Sequence, residues 1–190
     1  MKKFKTFLLA STLILSATSS FAESKKYSFE SNHSSVMWFA NHFGFSNPSG
    51  KFTGIEGVIN LDEANPAKSS VEATIKIASL NTGLEKFDQH LKSADFLNLD
   101  KFATAKFISK KVTLIKKDSA KVEGDLTLVG VTKPVVLDVK FNKSAVSPIT
   151  QKATVGFSAT ATLKRSEFGI NYAIPGVSDE VKLLIEVEAN

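Results

Sequence analysis

The 190-residue chain has no cysteine. That excludes disulfides, thiolate nucleophiles and cysteine-based metal sites. Histidines are few: His33, His42 and His90. No two sit at a metal-ligand spacing, so a metal would have to gather them from separate strands. No phosphate-cradling loop is present either. Gly44, Gly50, Gly54 and Gly57 are spaced like strand ends or bulges. Ser93 and Asp95 flank His90, but neighbours this close in sequence do not form a nucleophilic triad. With Asp88 and Lys92 they read as anchors for a helix. No catalytic residue, cofactor or metal is therefore assigned, and the chain is read as a binding protein, not an enzyme.

Charge of one sign is also scarce once the first 22 residues are set aside. The formal charge of +5 includes Lys2, Lys3 and Lys5. Without them, 21 basic side chains face 19 acidic ones, with no basic cluster. Nucleic acid is excluded as the expected partner. The three lysines precede an apolar run from Phe7 to Leu15, broken only by Ser11 and Thr12, and Ser20-Phe21-Ala22 supplies a small-x-small ending. This is the layout of a secretory signal peptide cut after Ala22. Its apolar run is too short for a permanent membrane anchor, and Glu23, not Cys, follows the cut. Residues 23–190 are expected to form one exported domain, large enough to bury a full core.

What the chain has in abundance is period-2 alternation. Val71, Ala73, Ile75 and Ile77 alternate with polar residues, as do Val122, Gly124, Leu126 and Leu128. The pattern repeats at Val135 to Phe141, Val155 to Leu163 and Val181 to Val187, and more weakly over 26–30, 34–42, 52–61 and 105–115. One wet and one dry face is the signature of antiparallel strands. Asn47-Pro48-Ser49-Gly50, Asp62 to Ser69, Lys117-Asp118-Ser119, Lys133-Pro134 and Ser147-Pro148 read as turns. Leu84, Phe87, Leu91 and Ala94 instead recur at helical spacing. They predict one amphipathic helix over about 84–96, laid across a barrel mouth or sheet edge. The expected fold is mainly all-β: an antiparallel barrel of about eight strands with this helix between strands.

Several ordered motifs carry a family resemblance. They include His33-Ser34-Ser35-Val36 leading to Trp38 and His42-Phe43-Gly44, then Gly50-Lys51-Phe52 with Gly57 and Ile59. Asn81-Thr82-Gly83 and His90-Leu91-Lys92-Ser93-Ala94-Asp95-Phe96 follow, then Lys106-Phe107 and Gly124-Asp125-Leu126-Thr127-Leu128 with Gly130-Val131-Thr132-Lys133-Pro134-Val135. Lys164 to Ile170 and Asp179-Glu180-Val181 complete the set. The chain resembles the YceI-like family, exported lipocalin-like polyisoprenoid-binding proteins. The resemblance implies a periplasmic location and an internal apolar cavity for a polyisoprenoid, isoprenoid quinone or similar lipid.

A barrel of about eight strands is either filled by its own side chains or encloses one ligand. Small inward residues leave room here: Ala40, Gly57, Ala73, Ala159 and Ala161. Large ones, Trp38, Phe52, Phe107 and Phe157, could take that room up, and composition leaves both outcomes open. Val36, Ile59, Ile75, Leu126 and Leu163 complete the set of expected cavity-lining residues. By parity, His42 and Arg165 end two inward faces. There they would offer donors to a phosphate or quinone oxygen, or serve as rim residues paired with Glu167, Asp179 or Glu180. The expected partner is an apolar lipid, with transient membrane contact and a monomeric or homodimeric state. The remaining expectations are an envelope stress or interaction protein with an incidental cavity, and an enzyme acting on isoprenoid lipids.

Overall fold

The structure is a computed structural model that describes residues 24–190. The signal peptide expected over 1–22 and its cut after Ala22 lie outside the described residues. Eleven strands form one sheet: β1 (Lys25–Ser28), β2 (Ser35–His42), β3 (Ser49–Phe52), β4 (Ile55–Leu61), β5 (Ser70–Lys76), β6 (Leu80–Asn81), β7 (Thr104–Lys116), β8 (Ser119–Leu128), β9 (Val131–Val146), β10 (Ala153–Lys164) and β11 (Val177–Ala189). The helix α1 (Glu85–Lys92) lies between β6 and β7.

The strand order explains why eleven strands make a barrel of eight staves. It runs β1-β4-β5-β7-β8-β9-β10-β11-β2-β3-β6. The first three members are continued in sequence by the last three. β1 runs on to β2 through a 3-10 turn at Ser31–His33, β3 to β4 across Thr53-Gly54, and β5 to β6 through Ile77–Ser79. Each pair is one stave, kinked once, so the sheet meets itself and closes. At the seam the Ser28 N–H donates to Asn190 O and the Asn190 N–H to Ser28 O, both at 2.9 Å. The Glu30 N–H donates to Glu188 O at 2.8 Å. Alternation counts staves well but is blind to such kinks, because a 3-10 turn interrupts the hydrogen-bond ladder without ending the apolar face.

Inward parity follows the sequence pattern on each long strand. Outward faces carry cross-strand charge pairs, such as Lys121 with Asp138 at 2.6 Å and Lys76 with Glu56. Exposed pairs of this kind contribute about 0–1 kcal/mol each, so the fold rests on the inner face.

Two local expectations change. The helix stops at Lys92, because Ser93 is extended (φ −72°, ψ 176°), and residues 94–102 continue as turns and bends. Asp88 ties α1 to the sheet: its Oδ1 accepts from the Thr82 N–H (2.8 Å) and hydroxyl (2.6 Å). Lys133-Pro134 is not a turn but lies inside β9. Pro134 faces Asp125 of β8, whereas β10 pairs with β9 only as far as Asp138. One edge is therefore free at this position, where the missing N–H costs no ladder bond. The turn sits earlier, at Val129 and Gly130, both with positive φ (49° and 75°). That is the two-residue geometry that suits a twisted hairpin.

Three glycines shape the inner wall. A Cβ on Gly50 would lie 2.7 Å from the Trp38 indole nitrogen, and the two residues face each other across β2 and β3. A Cβ on Gly57 would lie 2.7 Å from Phe29, and one on Gly124 would lie 2.5 Å from Phe107. Each aromatic ring thus lies against a glycine, at a place where an added Cβ would meet it. Gly124→Ala should destabilise the protein by about 2 kcal/mol through overpacking, measured as a fall in the urea midpoint at unchanged m-value.

Candidate functional site: an apolar cavity with an aromatic mouth

The barrel encloses a cavity of about 750 Å³, within the roughly 300–1,000 Å³ of small-molecule sites. Val36, Trp38, Ala40, Phe52, Ile59, Ala73 and Ile75 line it from one side. Phe107, Leu126, Phe157, Ala159 and Leu163 line it from the other. Ala161 is not part of this lining. It is buried in a packed cluster with Phe107, Val122, Leu126, Val135 and Phe168, the last of these from the 3-10 turn after β10.

The interior is not uniformly open. Tyr27, Ile59 and Leu61 pack with Val155, Val187 and Ala189, a cluster that runs along the seam where β1 and β4 continue the wall of β10 and β11. The cavity also reaches the Lys117-Asp118 turn and Phe141. The loop after β4 is braced there: Asp62 Oδ1 accepts from the Asn65 N–H (2.7 Å), and Ser144 of β9 donates to Glu63 Oε1 (3.0 Å).

The other end carries α1 and the loop between β10 and β11. Arg165 stands there on the cavity wall, 6 % exposed. Its guanidinium is not paired with a carboxylate. Nε donates to Ser178 O (2.9 Å), Nη1 to Ile170 O (3.0 Å) and Nη2 to Val177 O (2.9 Å). Three of its five N–H donors thus pin the loop that closes the barrel end. Burial lowers the Arg165 pKa, and the charge of Asp179 acts against that.

Asp179 serves the same loop from outside, accepting from the Ser166 N–H and hydroxyl, both at 2.8 Å. The Ser166 N–H is the main cause that holds its carboxyl below the ordinary carboxylate range, against burial and with help from the Ser166 hydroxyl, Arg165 and Lys164. A lowered folded-state pKa gives stability that is full above the unfolded value of about 3.9 and is lost as pH falls through the folded value. Asp179→Asn should therefore cost about 1 kcal/mol at neutral pH. In urea titrations the gap from wild type should shrink as pH drops below about 4.

Aromatic residues complete this mouth. His90 of α1 meets Phe96 edge-on at 5.1 Å and Tyr172 at 5.2 Å between ring centroids. Phe96 and Tyr172 are also 5.2 Å apart, and the Arg165 guanidinium lies 6.0 Å from the Phe96 centroid. His90 Nε2 is 3.0 Å from Asp95 Oδ2, so Asp95 does anchor the helix end. All four of His90, Phe96, Tyr172 and Arg165 line the cavity. Sequence reasoning did not assemble this group, because its members come from α1, the turn after it and the β10–β11 loop. His42 is exposed at the same mouth, with its ring 4.8 Å from Phe43. Among the described residues no three metal-ligating side chains converge.

A family model for the YceI-like domain matches residues 27–189. The chain belongs to the YceI-like family. Protein YceI of Escherichia coli O157:H7 is 39 % identical over 190 residues, covering 99 % of this chain and 97 % of that protein. BcnA of Burkholderia cenocepacia shares the fold, with a TM-score of 0.77 at 21 % identity over 85 % of this chain and 99 % of BcnA. A polyisoprenoid binding domain from Saccharophagus degradans, implicated in plant cell wall breakdown, superposes with a TM-score of 0.65 at 13 % identity. That match covers 86 % of this chain and 97 % of the domain. The lipocalin-like barrel with one helix is thus the family architecture.

Proposed function

We propose that this protein is a periplasmic carrier or store that holds a long apolar lipid, a polyisoprenoid or isoprenoid quinone, inside its barrel. The observation that carries the reading is the apolar lumen of about 750 Å³. The solved domain described as polyisoprenoid binding, which has the same fold, supports it. So does the leader layout ending at Ala22, which favours export of residues 23–190 as one barrel domain, monomeric or homodimeric.

Burial contributes roughly 0.8 kcal/mol per CH₂. A chain of about 25 carbons would gain about 20 kcal/mol against water, exceeding an association cost of roughly 4–15 kcal/mol. A bilayer already buries the same chain, so net transfer rests on cavity shape and the head group. His42 at the mouth and the two Arg165 N–H groups not given to the loop are the donors assigned to a head-group oxygen. The lining residues bind and enclose; no bond-making step is assigned to them.

Native mass spectrometry of the protein purified from a bacterial periplasm tests the reading. A non-covalent adduct with an isoprenoid mass is expected. Protein that is free of lipid, and stays so after incubation with polyprenols, would refute it.

A further inference from the structure

Ten large apolar side chains are exposed among the described residues, and four of them gather at the aromatic mouth. Phe45 is 90 % exposed, Leu84 65 %, Phe43 55 % and Tyr172 47 %. They come from three connections at the same end of the barrel: β2 to β3, β6 to α1, and β10 to β11. Phe43 and Tyr172 are at once exposed and part of the cavity lining. The greasy rim is therefore continuous with the greasy lumen.

The Phe43-Gly44-Phe45 loop is held in a shape that cannot bury these rings. Phe43 has φ of 51° and Gly44 of 77°, a left-handed pair that non-glycine residues rarely adopt. Asn41 fastens it: its Oδ1 accepts from the Gly44 N–H at 2.8 Å and its Nδ2 donates to Asn47 Oδ1 at 3.1 Å. The backbone adds His42 N–H to Ser46 O (2.9 Å), Phe45 N–H to His42 O (2.9 Å) and Phe43 N–H to Gly176 O (2.7 Å). These ties hold Phe45 outward. Strain kept for display points to a use.

We propose that this rim docks on a lipid bilayer: Phe45 and Leu84 insert at the interface and bring the cavity mouth onto the membrane. The proposal rests on the lipid-binding reading for its purpose. A long isoprenoid that crossed water to reach the lumen would expose its whole chain on the way, the costliest state available to it. Contact between mouth and bilayer removes that state. Lys86 and Lys92 of α1 are matched on the same short helix by Glu85 and Asp88, so α1 offers anionic lipid no excess of positive charge.

The test uses phosphatidylcholine vesicles without isoprenoid and measures the bound fraction by flotation. A second assay follows transfer of a fluorescent polyprenol between vesicles. Phe45→Ser alters a side chain in open solvent and leaves the cavity intact. It should lower vesicle binding about tenfold, lower the transfer rate in parallel, and leave the final lipid load unchanged. Binding by the wild type should hardly respond to salt. Equal vesicle binding in Phe45→Ser and wild type overturns the proposal. So does a wild-type dimer, seen by sedimentation, that Phe45→Ser converts to monomer while neither binds vesicles; the rim would then be a contact between copies. Vesicle binding without any polyprenol uptake would leave the docking surface standing and refute the lipid-carrier reading.

Discussion

Ala159→Trp should empty the barrel while leaving it folded. Ala159 lies in β10 between Val139 of β9 and Ile185 of β11, lines the lumen and belongs to none of the packed clusters. An indole at that point projects into space that a ligand would need. It would displace on the order of six methylenes, worth about 5 kcal/mol of burial, so the retained lipid should fall by more than a hundredfold. Organic extraction and mass spectrometry of variant and wild type read this directly, and equal lipid in both would contradict it. Ala161→Trp is the informative contrast. Its position is filled by Phe107, Val122, Leu126 and Phe168, so overpacking should cost about 1–3 kcal/mol or more and appear as lost stability.

The second large effect is expected at Arg165. Its three hydrogen bonds to main-chain carbonyls are made almost out of water. Arg165→Ala would leave the Ile170, Val177 and Ser178 carbonyls without these donors and Asp179 without its cationic neighbour. Losses of this type cost about 3–5 kcal/mol. Chemical denaturation should show a lower midpoint, and hydrogen exchange should show the largest loss of protection over 165–178. Arg165→Lys keeps the charge but not the fork and should recover only a minor part. A variant as stable as wild type, with an equally protected loop, would refute the pinning role.

The staves and their inward faces were legible because each depends on a two-residue period that survives in the sequence. That is why Val71, Ala73 and Ile75, or Phe157 and Ala159, could be placed on the cavity wall by parity. Ala161 shares that parity yet misses the cavity, packed in a cluster that includes Phe168 from a turn outside any period. The question of a solid or hollow interior was not legible from counts of aromatics. Ring placement depends on strand register, which sets Trp38 opposite Gly50, and register is not written locally. Arg165 was readable as the end of an inward face. Its carbonyl partners come from a loop that has no alternation to read. The end of α1 fell early because Ser93 turns the backbone extended while the apolar spacing runs on to Ala94.

The seam of the barrel has a consequence for how the molecule is made. Ser28 is bonded to Asn190, and Ser34 to Glu188, a separation of 154 residues. The ring therefore has no closed subset: until β11 is delivered, β1 and β2 each lack the neighbour on that side. Contacts so distant in sequence slow folding. Such a polypeptide cannot close its barrel until the last strand of the chain has been made.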